Sequence, residues 1–246
     1  MLKILFENKD LIVCLKPAGV LSQGSAVGGE DEVNMLSLVS RYIGREAGLI
    51  HRLDRGTAGV MVFSKRPEVT GVLSSTVSDK EKCVKEYLAV VSGEPEEREG
   101  EMADYLFKDA KSGKSFVVDS VRKGAKRAEL SYKVIDVREG EKGKLSLVLV
   151  RLFTGRTHQI RVQFSSRGMP IAGDGKYGSR ERVRGEIDGE FGVSPKDTFA
   201  LFAHRMSLDA GKNMRFDVSA LPDVNLYPFS LFADVLTDNI KCDNIK

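Results

Sequence analysis

The stretch His51-Arg52-Leu53-Asp54-Arg55-Gly56-Thr57-Ala58-Gly59 runs directly into Val60-Met61-Val62-Phe63. Its first half is charged and ends in small residues, and its second half is apolar. That change predicts a tight loop entering a strand. Such a loop holds a side chain at the rim of a sheet, where catalytic groups are often placed. One carboxylate, Asp54, stands there among Arg52, Arg55 and His51. Basic neighbours favour its ionised form and attract a polyanion. A charged carboxylate inside an anion-binding loop points to an acid that acts on a phosphate-bearing substrate.

Upstream of that loop, Leu2 to Phe6 and Leu11 to Leu15 read as a hairpin, and Lys16-Pro17-Ala18-Gly19 ends its second strand. Gly24 to Glu32 reads as a flexible loop. Met35, Leu36, Leu38, Val39, Tyr42 and Ile43 recur at helical spacing behind Asn34 as a cap. Downstream, Pro67 to Val77 reads as a helix and Glu86 to Val91 as a strand. Residues 94–127 read as an excursion from the sheet, with a short hairpin at Phe116-Val117-Val118. Leu130 to Val137 and Leu145 to Leu152 are strands joined by a turn over Arg138 to Gly143. Thr157 reads as the cap of a helix running to about Ser166. Phe199 to Leu208 and Met214 to Val218 form a closing hairpin, and Leu231, Phe232, Val235 and Leu236 mark a short last helix. Strands that return through hairpins predict an α+β fold with a mixed, largely antiparallel sheet flanked by short helices.

The 246 residues are 41% hydrophobic and 30% charged, enough for one substantial core or two small ones sharing a sheet. No apolar run approaches the roughly 20 residues of a membrane helix. Charge breaks Met1 to Glu7 too early for a secretory signal. Cys14, Cys83 and Cys242 lie far apart with no CxxC pair, which disfavours a disulfide framework or zinc site and fits a reducing cytoplasm. The net charge of +3 is unevenly spread. Glu94, Glu96, Glu97, Glu99, Glu101 and Asp104 face Arg98 alone. Lys108, Lys111, Lys114, Arg122, Lys123, Lys126 and Arg127 follow, and Lys176, Arg180, Arg182 and Arg184 form a second basic group. Each group alone is an ordinary solvated surface; two beside a catalytic candidate suggest a nucleic-acid face.

A second dense stretch is Gly155-Arg156-Thr157-His158-Gln159-Ile160-Arg161. In a helix opened by Thr157, Arg161 lies one turn along the same face. It can pair bidentately with a carboxylate, and Asp54 is its natural partner, which fixes the carboxylate's rotamer. The plain alternative is a structural ion pair. Tyr87, in Lys85-Glu86-Tyr87, offers a ring suited to stacking on a base, or is an ordinary core tyrosine. His51, His158 and His204 lack a short metal-ligand spacing, and no GxSxG elbow, P-loop or dinucleotide fingerprint is present. Nothing in the sequence suggests a cofactor.

Five motifs in order give the chain a family resemblance. Lys16 to Gly19 resembles a KPxG turn, His51 to Lys65 resembles HRLDxxTSGxxxxAK, and Lys85 to Gly93 resembles KxYxAxVxG. Gly155 to Arg161 resembles GRTHQIR and Gly173 to Gly178 resembles GDxxYG. Together they are similar to the RluA-type pseudouridine synthases. Ala58 stands where that pattern has serine and Ser64 where it has alanine. The resemblance implies a pseudouridine synthase-like fold with a central active-site cleft, formed here by residues 1–246 as a single catalytic domain without the S4 domain of many relatives.

By that resemblance Asp54 is the nucleophile, Arg161 orients it, and Tyr87 stacks on the target base and assists proton removal. The reaction detaches uracil from ribose, rotates it and rejoins it through carbon, without metal or redox cofactor. The uridine must leave its stack to be reached. Arg52 is a candidate to fill the gap, and Arg55, Arg156, His158, Lys123 and Lys126 are candidates to hold the RNA, ribosomal or transfer. No obligate protein partner or membrane is implied, and a monomer is expected. Two other classes are a non-catalytic RNA-binding protein that kept the fold and an aspartate-dependent nucleosidase. The second normally needs another carboxylate as general acid, which the sequence does not pair with Asp54.

Overall fold

A computed structural model describes residues 2–24, 33–119, 123–185, 198–211 and 213–238. The loop expected over Gly24 to Glu32 lies outside them beyond Gly24 itself, as do Arg122 and Cys242. The strands are β1 (Lys3–Glu7), β2 (Leu11–Lys16), β3 (Gly48–Leu49), β4 (Ala58–Ser64), β5 (Cys83–Ser92), β6 (Glu99–Asp109), β7 (Lys114–Val118), β8 (Lys126–Gly140), β9 (Gly143–Leu152), β10 (Leu201–Asp209) and β11 (Arg215–Ser219). The helices are α1 (Met35–Ile43), α2 (Pro67–Val77), α3 (Gln159–Ser165) and α4 (Ala233–Asp238). The fold is α+β, with a mixed and mostly antiparallel sheet. Among the described residues no helix is long and apolar enough to cross a membrane.

The chain forms two compact units. One holds the chain up to Glu86 and most of the closing hairpin, Phe202–Ala220; the other begins at Tyr87 and includes Phe199–Leu201 and the chain from Leu221. In the first unit the strand order is β1-β2-β4-β10, with β3 on β4 and β11 on β10. β2 and β4 are buried along most of their length, as expected of apolar runs inside a sheet covered on both faces. Leu73 and Val77 of α2 pack with Val60, Val62, Leu11, Val13 and Met206 to form the core. Asn34 caps α1 by accepting from the Ser37 amide at 3.0 Å, and Gly44 ends it in the left-handed region at φ 69. The parallel pairing of β4 and β10 sets Gly59 opposite Ala203. A Cβ at Gly59 would come within 2.3 Å of the Ala203 carbonyl oxygen, so this close approach requires glycine.

In the second unit the order is β5-β9-β8-β6-β7. Residues 94–127 are therefore not an excursion: β6 and β7 continue the sheet, and β6 pairs with β8 from Glu99↔Lys133 to Leu106↔Lys126. Their density of charge conceals a period of two, in which Met102 and Leu106 are buried while Glu101 and Ala103 are exposed. The turn expected over Arg138 to Gly143 is also shorter. β8 and β9 run on to Gly140 and Gly143, and Gly143 at φ 122 supplies the positive torsion of a tight hairpin. Thr157 does not cap α3. The cap position is His158, itself left-handed at φ 55, with no capping hydrogen bond from its side chain. Instead Gln159 folds back, and its Oε1 accepts the Arg156 amide at 3.0 Å.

Candidate active site

The Asp54 loop is tied down on both sides by its own unit. Before it, the Ser22 hydroxyl accepts the Leu53 amide at 3.0 Å and donates to the Leu53 carbonyl at 2.8 Å. After it, the Arg55 carbonyl accepts from the Gly19 amide at 2.7 Å and from Lys16 Nζ at 3.0 Å. The Arg55 guanidinium returns a bond from Nε to the Gly19 carbonyl at 3.0 Å. The Asp54 carbonyl accepts the Thr57 amide at 3.1 Å, which closes the turn. The half-buried Asp54 side chain thus projects from a backbone whose neighbours have little freedom to move.

Lys16 is the residue whose importance the sequence reading missed, having taken it as part of a strand-ending turn. It is fully buried, and its Nζ also donates to the Pro17 carbonyl at 2.8 Å and the Val20 carbonyl at 2.6 Å. Burial pushes its ammonium down to about 7, against the pull of the nearby Asp54 carboxylate and with the push of Arg55. A lysine at the end of an apolar strand, directly before proline, was the available signal. His51 is a correction to the picture of a uniformly basic loop. Its Nε2 accepts the Val62 amide at 3.2 Å, and burial, aided by Lys85, lowers its pKa to about 4. It is a neutral brace between the loop and β4, and brings no charge.

Tyr87 is buried on β5 within the second unit. Arg161 is also buried there, on α3, and its guanidinium has a bidentate carboxylate. That carboxylate is Asp174, with Nε to Oδ2 at 2.6 Å and Nη2 to Oδ1 at 2.9 Å. One bidentate edge of Arg161 thus engages Asp174, from the GDxxYG stretch, to which the sequence reading assigned no role. Both side chains are almost wholly buried, 7% and 1% exposed, so the pair is held stiffly. The Phe199 and Tyr177 rings lie 4.3 and 5.0 Å from the guanidinium carbon. Tyr177 OH also meets His158 Nδ1 at 2.8 Å, which anchors the left-handed residue at the start of α3.

The proposed RNA contacts are placed as follows. Arg52, Arg55, Arg156, Lys123 and Lys126 are exposed, and His158 is half-buried. Arg156 Nε donates to the Arg127 carbonyl at 2.9 Å. In the second basic group Arg184 is engaged by both oxygens of Glu141, and Lys176 Nζ donates to the Gly113 carbonyl at 2.8 Å.

Known proteins resemble this chain over most of its length. A family model described as RNA pseudouridylate synthase matches residues 10–166. A ribosomal large subunit pseudouridine synthase D of Borreliella burgdorferi is 30% identical over 85% of this chain and 62% of its own length. The chain thus spans under two thirds of that relative. An uncharacterized RNA pseudouridine synthase of Zymomonas mobilis is 34% identical over 73% of this chain and 80% of its own. Human RNA Pseudouridylate Synthase Domain Containing 1 shares the fold, with a TM-score of 0.70 at 21% identity, covering 91% of this chain and 84% of that one. The match reaches from β2 through α3 and takes in both the braced carboxylate and the buried guanidinium, and the chain belongs to the RNA pseudouridylate synthase family.

Proposed function

We propose that this chain is an RNA pseudouridine synthase in which Asp54 attacks the target nucleotide. The observation that carries the reading is the Asp54 loop, braced on each side and lying within the span matched by the family model. A carboxylate can attack, or stabilise, an electron-poor sugar carbon or base position. Detaching uracil, turning it and rejoining it through C5 consumes no water and releases the C5 proton. Tyr87 stacks on the displaced base and assists that proton's departure. Arg161 serves the nucleophile, as the family resemblance implies, and its own geometry is held by the buried pair with Asp174.

Both units act as one catalytic domain, a reading supported by the matched span, which passes through Glu86 and Tyr87 from one to the other. Ribosomal RNA is the first substrate to try, after the relatives named as ribosomal large subunit synthases, and transfer RNA the second. The protein works as a monomer in the cytoplasm, where the buried thiols of Cys14 and Cys83 stay reduced. The test is tritium release from RNA labelled at uridine C5. The parent chain releases tritium, and Asp54→Asn releases none while still binding RNA. Turnover by Asp54→Asn sinks the nucleophile, and free uracil among the products assigns the chain to the nucleosidases instead.

A further inference from the structure

The β6–β7–β8 sheet carries an outward face that this reaction does not use. On β6, Met102 and Leu106 are buried, so Tyr105, Phe107 and Asp109 belong to the opposite face. The register sets Phe116 of β7 directly against Phe107, Val118 against Tyr105 and Lys114 against Asp109. On the other side Arg127 of β8 stands against Tyr105. Three aromatic residues therefore share one face on adjoining strands. β7 ends the strand order, and Phe116 on it is 45% exposed. A large apolar ring on an edge strand is a liability for aggregation unless it has a partner.

The surroundings say what kind of partner. Lys114 stands on this face and the flanking turns bring Lys111 and Lys123, whereas Arg127 is already paired with Glu129 of β8 at 2.6 Å and Lys108 and Lys126, set by register beside Ser115 and Leu106, belong to the other face. The Asp109 carboxylate is already engaged by the Lys111 and Ser112 amides and the Ser112 hydroxyl. The face is also firm. The Ser115 amide donates to Tyr177 OH at 2.8 Å, and the Ser115 hydroxyl donates to the Thr157 carbonyl at 2.7 Å.

We infer that this face is a stacking platform for unpaired bases of the RNA substrate, with Phe116 as its outer ring and Lys111, Lys114 and Lys123 receiving the flanking phosphates. The inference rests on the pseudouridine synthase reading for its choice of RNA as ligand. Aromatic rings on a sheet accept bases that are free of a duplex, because paired bases offer no open face. Lys111, Lys114 and Lys123 supply charge complementarity to a phosphate backbone and disfavour a second copy of this chain, which would bring the same three lysines.

The test uses the full chain and a fluorescently labelled single-stranded RNA, beside a duplex of the same sequence, at several salt concentrations. Phe116→Leu keeps bulk and loses the ring. It weakens binding of the single strand about tenfold, with the salt slope and the duplex affinity unchanged, and Phe116→Tyr restores binding. Lys114→Gln lowers the salt slope instead. Melting curves matching the parent show that both Phe116 variants are folded. Parent-like binding of the single strand by Phe116→Leu overturns the platform, as does an equal loss on the duplex. A dimer of the parent that Phe116→Leu dissolves also overturns it, in favour of a second copy. Pseudouridine is assayed with the same RNA: an inactive parent counts against the reaction, whereas an active parent indifferent to Phe116 counts against the platform alone.

Discussion

At the scale of single residues, the Asp54 loop shows how burial changes what a side chain does. Lys16, His51 and Arg161 are all basic residues, and each has a different role. Lys16 is a three-carbonyl clamp, His51 is a neutral acceptor, and Arg161 is half of a buried ion pair. The His51 role has a pH signature. Its folded pKa is about 4, below the ordinary 6.5 that it regains on unfolding. Between those values the unfolded chain binds more protons, so stability is complete above the window and falls as pH drops through it. The loss reaches about 3 kcal/mol at the low end. In His51→Gln the amide oxygen can still accept from Val62 and has no proton to gain. Denaturant unfolding at a series of pH values should therefore show a steeper acid loss in the parent than in the variant. Parallel curves would rule out a neutral buried His51.

At the scale of elements, a close backbone approach and a hidden period decide the sheet. β4 and β10 meet in parallel at Gly59 and Ala203, with no room for a side chain. Gly59→Ala forces these strands apart and places alanine at φ 124, a torsion that only glycine adopts readily. The expected cost is about 3 kcal/mol or more, read as a lowered midpoint in thermal or denaturant unfolding. A midpoint within experimental scatter of the parent would contradict the pairing. α1, α2 and the first hairpin were legible because their apolar residues recur at 3.6 or 2 and their ends carry asparagine, proline or glycine. β6 and β7 were not, because charge dominates their composition and the alternation shows only through Met102 and Leu106. The cap of α3 was misplaced by one residue, from His158 to Thr157, because a left-handed histidine there has no sequence signal.

At the scale of the whole molecule, a modest net charge of +3 conceals separate acidic and basic regions. Binding of RNA through the basic regions releases counterions, so affinity falls steeply with salt. Charge reversal at the exposed Lys123 and Lys126 should weaken RNA binding and flatten its salt dependence by roughly one unit of slope per lost phosphate contact. Filter binding or anisotropy across a salt series checks this, and an unchanged slope would remove both lysines from the RNA face. The exposed positions of Arg52, Arg55 and Arg156 fit the same electrostatic picture, whereas Arg184, paired with Glu141, is less available.

The sequence by itself determined the loop that presents Asp54, the class of the fold and most of the element order. Those properties follow from composition and period along a few neighbouring residues. Only the tertiary structure decided that Asp174 holds Arg161, that Lys16 secures the Arg55 carbonyl, and that Phe116 sits beside Phe107 on an open face. These pairings join residues that are distant or offset along the chain, and the two polar ones draw their strength from exclusion of water. Neither strand register nor burial can be read from residues taken one stretch at a time.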